Sequence, residues 1–201
     1  MTISSDLSLD KHVSNVSATC FFWLCKLRRV RRSLDVESVK TLVHAFVTTR
    51  LDYCNSVLAG APRSVTDKLQ RVLNAAAVNG TRKFDPGLSR LLHVDLHWLD
   101  VPERVQYKLG VTVRRCQQHK SPQYLTDCVM PASDITSRQR LRSASRHQLL
   151  VPRYQFSSLG RRCFTVAGPT TWNSLSADLR DPMCSDESSR RSLKTFLFSK
   201  Y

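Results

Sequence analysis

Few residues of this chain have the types and spacing that chemistry requires. His93 and His97 lie four residues apart, a spacing that places two imidazoles on one face of a helix and is used by zinc hydrolases. In those enzymes a glutamate that serves as general base follows the first histidine, whereas Val94 stands at that position here, and no third ligand is evident. The sequence therefore predicts neither a metal site nor a cofactor.

Covalent catalysis has no better support. A serine or cysteine nucleophile needs a neighbouring base and a group that orients it, and the cysteines and histidines are scattered without such a context. The six glycines form no phosphate-binding loop. The seven cysteines contain no Cys-x-x-Cys pair and their odd number cannot pair internally, so we expect reduced, mostly buried thiols.

The net charge of the chain indicates the kind of partner to expect. The chain has 31 Lys and Arg against 16 Asp and Glu, a formal charge of +15, which favours polyanionic partners and makes nucleic acid the expected one. The apolar fraction of 41% over 201 residues is compatible with a folded chain. The sequence shows neither a secretory signal nor an apolar run of the roughly 20 residues that span a bilayer, so we expect a cytoplasmic or nuclear protein.

The first concentration of positive charge falls on a predicted amphipathic helix. Between Val13 and Leu34, apolar residues recur at spacings of three and four and define one packed seam. Five cations lie between the seam positions near the C-terminal end, where the helix dipole also favours them: Lys26, Arg28, Arg29, Arg31 and Arg32. Such a face can grip phosphates, and the alternative is the solvated face of an ordinary helix.

A second concentration lies between Ile135 and Ala177, where no Asp or Glu occurs. Its arginines are Arg138, Arg140, Arg142, Arg146, Arg153, Arg161 and Arg162. Aromatic residues accompany them, and bases of single strands stack on aromatic and guanidinium planes. We expect Phe164 and Trp172 to be core residues and the arginines to be the residues that contact nucleic acid. Loops and short strands, at 148–156 and 162–166, are predicted for this segment.

The remaining pattern is helical. A second helix is predicted over 36–58, and a third opens at a capping box of Ser64 and Asp67 and ends near Asn79 and Gly80. Further helices are predicted over 88–98, from Pro102 to 119, briefly after Pro122, and over 171–180 and 188–199. We therefore expect a mainly α fold: an antiparallel helical bundle over 10–80, a helical connector over 81–131, and a smaller helical and irregular region over 132–201.

Two stretches, LVHAFVTTRLDYCNSVL over 42–58 and LHWLDVPERVQYKL over 96–109, resemble the region downstream of the polymerase core in non-LTR retrotransposon reverse transcriptases of the jockey-like and chicken-repeat-like type. The resemblance continues through SPQYL at 121–125, GRRCF at 160–164, GPTTWNSLSADLR at 168–180 and LKTFLF at 193–198. It implies that residues 1–9 correspond to the end of the palm and 10–80 to a thumb-like bundle, which in this class holds a template-primer duplex through its backbone.

The resemblance also implies what to expect of activity. These polymerases hold two metal ions with clustered carboxylates in an aromatic-x-Asp-Asp turn, and this sequence contains no Asp-Asp pair. We expect no enzymatic activity, sequence-nonspecific binding to RNA or DNA backbone, and association with a separate reverse transcriptase palm as a further option. The alternatives are an inactive reading frame derived from a decayed element and a helical scaffold that binds another protein.

Overall fold

The computed structural model describes residues 8–81, 87–135, 146–155 and 159–201. Within these ranges the chain is mainly helical, which confirms the predicted fold class. The one β-type pairing in these ranges is an isolated antiparallel bridge between Pro131 and Leu149. No helix in the same part of the chain is both long and apolar enough to cross a membrane.

The first predicted helix is present, and the region after it is divided into shorter helical segments. Helix α1 spans Asp10–Val30 and continues into a 3-10 turn at Arg31–Ser33. Asp35 caps α2, Val36–Val43, by accepting a hydrogen bond from the backbone N of Ser38 at 3.0 Å. A π-helical segment at His44–Thr48, α3 at Thr49–Asp52, a 3-10 turn at Asn55–Leu58 and α4 at Arg63–Thr81 complete this region.

Most of the remaining helical segments are ten residues long or shorter, and two are longer. Helix α5, Leu88–Arg90, runs into a π-helical segment at Leu91–Asp95. Helix α6, Val101–Gln117, has Pro102 in its first turn as predicted, and α7 follows at Gln123–Thr126. Helix α8 spans Phe164–Asn173 and α9 spans Asp186–Phe198, with 3-10 turns at Ala132–Asp134, Gly160–Arg162 and Asp178–Arg180.

The chain divides into two compact units. The N-terminal unit comprises Met1–Asn55 and Ala61–Arg104, and the C-terminal unit comprises Ser56–Gly60 and Val105–Tyr201. The boundary at 104/105 falls inside the segment that the sequence predicts as a connector. In the N-terminal unit α1 packs against α4 and α2, and its buried side chains include Val13, Cys20, Val43, Val72 and Leu73.

The two stretches that carry the family resemblance meet inside the N-terminal unit. Arg104 Nη1 donates to both carboxylate oxygens of Asp52, at 3.1 and 2.8 Å. The Arg104 guanidinium also lies over the Trp98 ring, 5.8 Å from its centre, and its Nε donates to the carbonyl of Leu99 at 2.7 Å. Asp52 therefore acts as an anchor for Arg104.

Asp100 lies directly before α6 and is tied to Gln70. The Gln70 amide donates to Asp100 Oδ1 at 2.7 Å and accepts from the backbone N of Val101 at 2.9 Å. The side chain of Gln70, on α4, thus satisfies the first N–H of α6.

The C-terminal unit is organised around Trp172, which is 2% exposed. Its ring N–H donates to the carbonyl of His147 at 3.0 Å, and the amide of Asn173 bonds both the backbone N and O of Leu149. These bonds fix the segment from His147 to Leu149 against α8. Leu193 and Leu197 on α9 are also buried in this unit.

Several local predictions were wrong. No strand forms at 162–166, because Phe164 begins α8, and residues 148–155 contain only the bridge at Leu149; Phe156 lies outside the described residues. The helix predicted over 171–180 instead runs from 164 to 173. Ser64 lies inside the first turn of α4 and not at its cap, because the helix begins at Arg63.

The second predicted helix, 36–58, is also interrupted. Tyr53 has an extended backbone and Cys54 has a φ of 55°, a left-handed conformation that no regular helix contains. The chain therefore turns after Asp52 before it resumes as the 3-10 turn at Asn55–Leu58.

The cysteines are free thiols, but the expectation that most of them are buried was wrong. Cys20 and Cys116 are buried, whereas Cys25 and Cys163 are exposed. Burial raises the pKa of Cys20 to about 11, so this thiol stays protonated at neutral pH. Cys20 is a packing residue of the α1 seam.

Candidate nucleic-acid interface

The outward face of α1 is positively charged near its C-terminal end. Of the five cations predicted to form the basic face, Lys26, Arg28, Arg29 and Arg32 are exposed. Arg31 differs: it is half-buried, because its position falls on the packed side where α1 passes into the 3-10 turn. We refer to the four exposed cations as the α1 cation group.

No carboxylate of the described residues pairs with the α1 cation group. After Asp10, which is bonded to Lys68 at 3.1 Å, the sequence has no acid until Asp35. Asp35 caps α2, and Glu37 pairs with Lys40 at 2.8 Å. The field of these four cations is therefore not compensated by a local acid, which is the condition under which a face attracts a polyanion.

Exposed aromatic side chains lie on the same face. Phe21 is 42% exposed and Phe22 is 54% exposed. Phe22, Lys26 and Arg29 follow one another at spacings of four and three residues, which aligns them along one side of the helix. The Lys26 ammonium lies 5.3 Å from the centre of the Phe22 ring. A stacking surface and a row of cations are therefore side by side.

The aromatic cluster has a packed base. The Trp23 ring stacks on Phe46 with centres 4.5 Å apart and an interplanar angle of 16°, and Phe22 meets Trp23 edge-on at 5.7 Å. Trp23 and Phe46 are half-buried. Trp23 thus joins the exposed Phe22 ring to the packed side of the helix.

A groove of about 340 Å³ runs beside α1 one turn before this cluster. Asn15, Val16 and Thr19 line one side, and Thr49, Arg50 and Tyr53 line the other. Tyr53 is 64% exposed and Arg50 is exposed. The groove thus repeats, on a smaller scale, the combination of a cation with an accessible aromatic ring.

The second predicted group of arginines is only partly described. Arg138, Arg140 and Arg142 lie outside the described residues, whereas Arg146, Arg153 and Arg161 are exposed and Arg162 is half-buried. Nothing in the described part gathers them into one surface.

Of the two aromatic residues that were predicted to be core residues, one is fully buried. Trp172 is core, and Phe164 is half-buried. Tyr154, which is 41% exposed, accepts a hydrogen bond from Arg161 Nε at 3.1 Å.

The histidine pair is engaged in local structure. His93 Nδ1 is 2.9 Å from the carbonyl of Trp98, and its Nε2 is 3.7 Å from Asp100. His97 has a φ of 50° and lies beyond the π-helical segment, so the two rings do not share a regular helical face. Among the described residues, no group of three His, Cys, Asp or Glu side chains could hold a metal ion.

Two sets of residues at the candidate sites were not predicted from the sequence. Phe21 and Phe22 fall off the three-and-four seam of α1, so their positions already indicated exposure. Arg114 and Arg180 are 6% and 5% exposed, and no pattern in the sequence marks them as buried, because a charged side chain is expected at the surface.

Comparison of the chain with protein-family models, with curated proteins and with solved structures found no match in any of the three.

Proposed function

We propose that this chain corresponds to a noncatalytic part of a retrotransposon reverse transcriptase and binds the backbone of RNA or DNA without sequence specificity. The observation that carries the proposal is the outward face of α1, where four exposed cations, none of them paired with a carboxylate of the described residues, lie beside Phe21 and Phe22. The formal charge of +15 supports it, because the whole chain attracts a polyanion before any specific contact forms.

The dimensions of the face suit a nucleic-acid backbone. From Phe21 to Arg29 the helix is about 12 Å long at its usual rise per residue. A B-form duplex carries one negative charge about every 1.7 Å along its axis, so a face of this length meets several phosphates at once. Cations on flexible stems can follow either a duplex or a single strand.

The lineage part of the proposal rests on the resemblance of the two stretches at 42–58 and 96–109. The Asp52–Arg104 ion pair joins these stretches and so gives them a common structural role in the N-terminal unit. The noncatalytic part rests on the sequence, which has no Asp-Asp pair to hold catalytic metal ions.

The test compares affinities for an RNA–DNA hybrid at one fixed salt concentration. In the first variant, Lys26, Arg28, Arg29 and Arg32 are replaced by Gln, which keeps helix propensity and removes charge. In the control variant four exposed cations of the C-terminal unit are replaced in the same way: Lys108, Arg190, Arg191 and Lys194. Both variants lose four positive charges, so a general effect of net charge is equal in the two.

We expect the α1 variant to bind at least about tenfold more weakly than the control variant, because phosphate contacts are lost in the first and only long-range attraction in the second. Equal affinities of the two variants would reject the α1 face as the contact surface.

A second candidate function is a protein-docking face. It is favoured by the same exposed apolar side chains, Phe21, Phe22 and Val30, the last of which is 50% exposed. Apolar side chains grouped on a surface mark interaction sites as well as stacking sites. A separate reverse transcriptase palm is the partner that the resemblance implies. Replacing Phe21 and Phe22 by Ser would then abolish association with that partner and leave nucleic-acid affinity unchanged.

A further inference from the structure

The C-terminal unit contains a cavity of about 370 Å³ that the proposed function does not use. Its wall is formed by the end of α6, from Cys116 to His119, by the segment around Pro131–Asp134, and by Arg180 with Pro182. A volume of this size falls within the range of small-molecule binding sites in proteins. The question is what chemistry its lining would recognise.

Arg180 is the unusual residue of this wall. It is 5% exposed, and its Nε and Nη1, which are closed off from solvent, have no hydrogen-bond partner among the described residues. Burial, and next the nearby charge of Arg146, lower the pKa of Arg180. A buried guanidinium whose donors are unsatisfied is costly, because it has lost its water and gained no acceptor in return.

Arg114 sets the position of the loop that follows Arg180. Its Nη1 donates to the carbonyl of Asp181 at 3.1 Å, and its Nη2 donates to the carbonyl of Cys184. Both acceptors are neutral, so these bonds fix the loop without neutralising the charge. Asp186 feels the charge of Arg114, but it is already paired with Lys120 at 2.7 Å.

The rest of the lining adds one acid and one unsatisfied acceptor. Asp134 is the carboxylate of the cavity wall, and its Oδ1 accepts a hydrogen bond from the hydroxyl of Ser133 at 3.1 Å. Gln118 Oε1 is buried without a donor among the described residues, and the Gln118 side chain hydrogen-bonds Asp186. The described wall therefore has an excess of positive charge, and Arg180 is its guanidinium without a hydrogen-bond acceptor. His119 and His147 line the cavity as well.

We propose that this cavity binds the phosphate monoester group of a nucleotide, with Arg180 as its principal anchor and Arg114 as its support. Guanidinium groups match phosphate oxygens in a planar, forked geometry and form charge-assisted hydrogen bonds with them.

The group can come from a free mononucleotide or from the 5′ end of a strand, and the experiment separates the two. Binding to the whole chain is measured by calorimetry with AMP, adenosine, inorganic phosphate, and one short oligonucleotide with and without a 5′-phosphate. We expect AMP and inorganic phosphate to bind and adenosine not to bind. A free nucleotide is the source if the two oligonucleotides bind equally, and a strand terminus is the source if the 5′-phosphate strengthens binding.

Two substitutions assign the binding to Arg180. R180M keeps the length of the side chain and removes the charge, and it should weaken AMP binding at least about tenfold, since hydrogen bonds to charged groups are the stronger class. R180K keeps the charge and loses the fork, and it should fall between wild type and R180M. R191M is the matched control, because Arg191 is an exposed residue of α9 that pairs with Glu187, outside the cavity.

R180M is expected to fold, because it removes a buried charge that nothing in the described chain compensates. R191M should bind AMP as the wild type does. The proposal is overturned if AMP does not bind the wild-type chain, or if AMP binds R180M and R180K as tightly as it binds the wild type.

Discussion

The N-terminal and C-terminal units of this protein treat positive charge in opposite ways. The α1 cation group stands in solvent with no carboxylate of the described residues paired to it, and the packed side of the helix is apolar. In the C-terminal unit, Arg114 and Arg180 are enclosed and more than nine-tenths buried. An exposed cation is solvated and costs little, whereas a buried one must be compensated by acceptors or by a ligand. Under the two proposals above, exposed and buried cations would therefore recognise anions in two different ways in one chain.

The physical consequences differ accordingly. Exposed cations give binding that is long-ranged, screened by salt and indifferent to sequence. Enclosed guanidinium groups give binding that depends on shape and hydrogen-bond geometry and responds less to salt. The predictions that follow test this contrast.

The largest expected effect distinguishes the two buried arginines from each other. In phosphate-free buffer, R114M should lower the free energy of unfolding by about 1 to 3 kcal/mol, because the carbonyls of Asp181 and Cys184 lose their donor. R180M should raise the same quantity by about 1 to 3 kcal/mol, because an uncompensated charge leaves the interior. Urea unfolding of both variants measures the two changes. If R180M is as destabilising as R114M, Arg180 has a structural partner that this account lacks.

The next effect concerns the stacking surface of α1. F22L should weaken binding of single-stranded RNA by about tenfold, since base–aromatic stacking contributes roughly 1 to 3 kcal/mol per base. It should leave stability and duplex affinity nearly unchanged, because Phe22 is 54% exposed and duplex bases stay stacked on one another. Y124L is the matched control, as Tyr124 is 69% exposed and lies outside α1. An unchanged affinity for single strands would favour the protein-docking role of this face.

The smallest effect compares helix caps in the two units. Asp35 caps α2 and Ser185 caps α9, each by accepting from the backbone N of Ser38 and Ser188 respectively. S185A should lower the free energy of unfolding by about 1 kcal/mol at every pH, because a hydroxyl does not titrate in this range. The Asp35 cap should behave differently.

Hydrogen bonds from Ser38 lower the pKa of Asp35 below its usual range. A lowered pKa in the folded state means that the carboxylate stabilises the fold above the ordinary carboxyl pKa, and that this contribution is lost as the pH falls through the folded-state value. D35A should therefore be destabilised relative to wild type at pH 7 and converge with it in acid. A pH-independent difference would show that the charge of Asp35 is irrelevant to the cap.

Much of the fold follows from the sequence because its signals are local. Seam spacing predicts α1, Pro102 marks the first turn of α6, and the position of α9 was correct to within two residues at its start. The predictions that were wrong concern features that depend on tertiary packing. Helix α8 contains Pro169, which argues against a helix, yet burial of Val166, Ala167 and Trp172 stabilises it.

The candidate sites likewise have a part that could be predicted from the sequence and a part that could not. The exposed part of the α1 basic face could be predicted, since its cations lie between the seam positions, while the burial of Arg31 could not, because the helix changes to a 3-10 turn there. The buried Arg180 had no local signal: Asp178 and Asp181 flank it and suggest an ion pair, but Asp181 accepts from the backbone N of Met183 instead. Burial of a charge is a property of the whole unit.

The most direct test of the central claim is the salt dependence of nucleic-acid binding by the wild-type chain and by the variant that lacks the α1 cation group. Each cation in contact with a phosphate contributes roughly 0.7 to 0.9 to the slope of log affinity against log salt. We predict that replacing Lys26, Arg28, Arg29 and Arg32 reduces the magnitude of this slope by about 3, and that the control variant of the C-terminal unit keeps the wild-type slope. A wild-type slope near zero, or equal slopes for the two variants, would contradict the account.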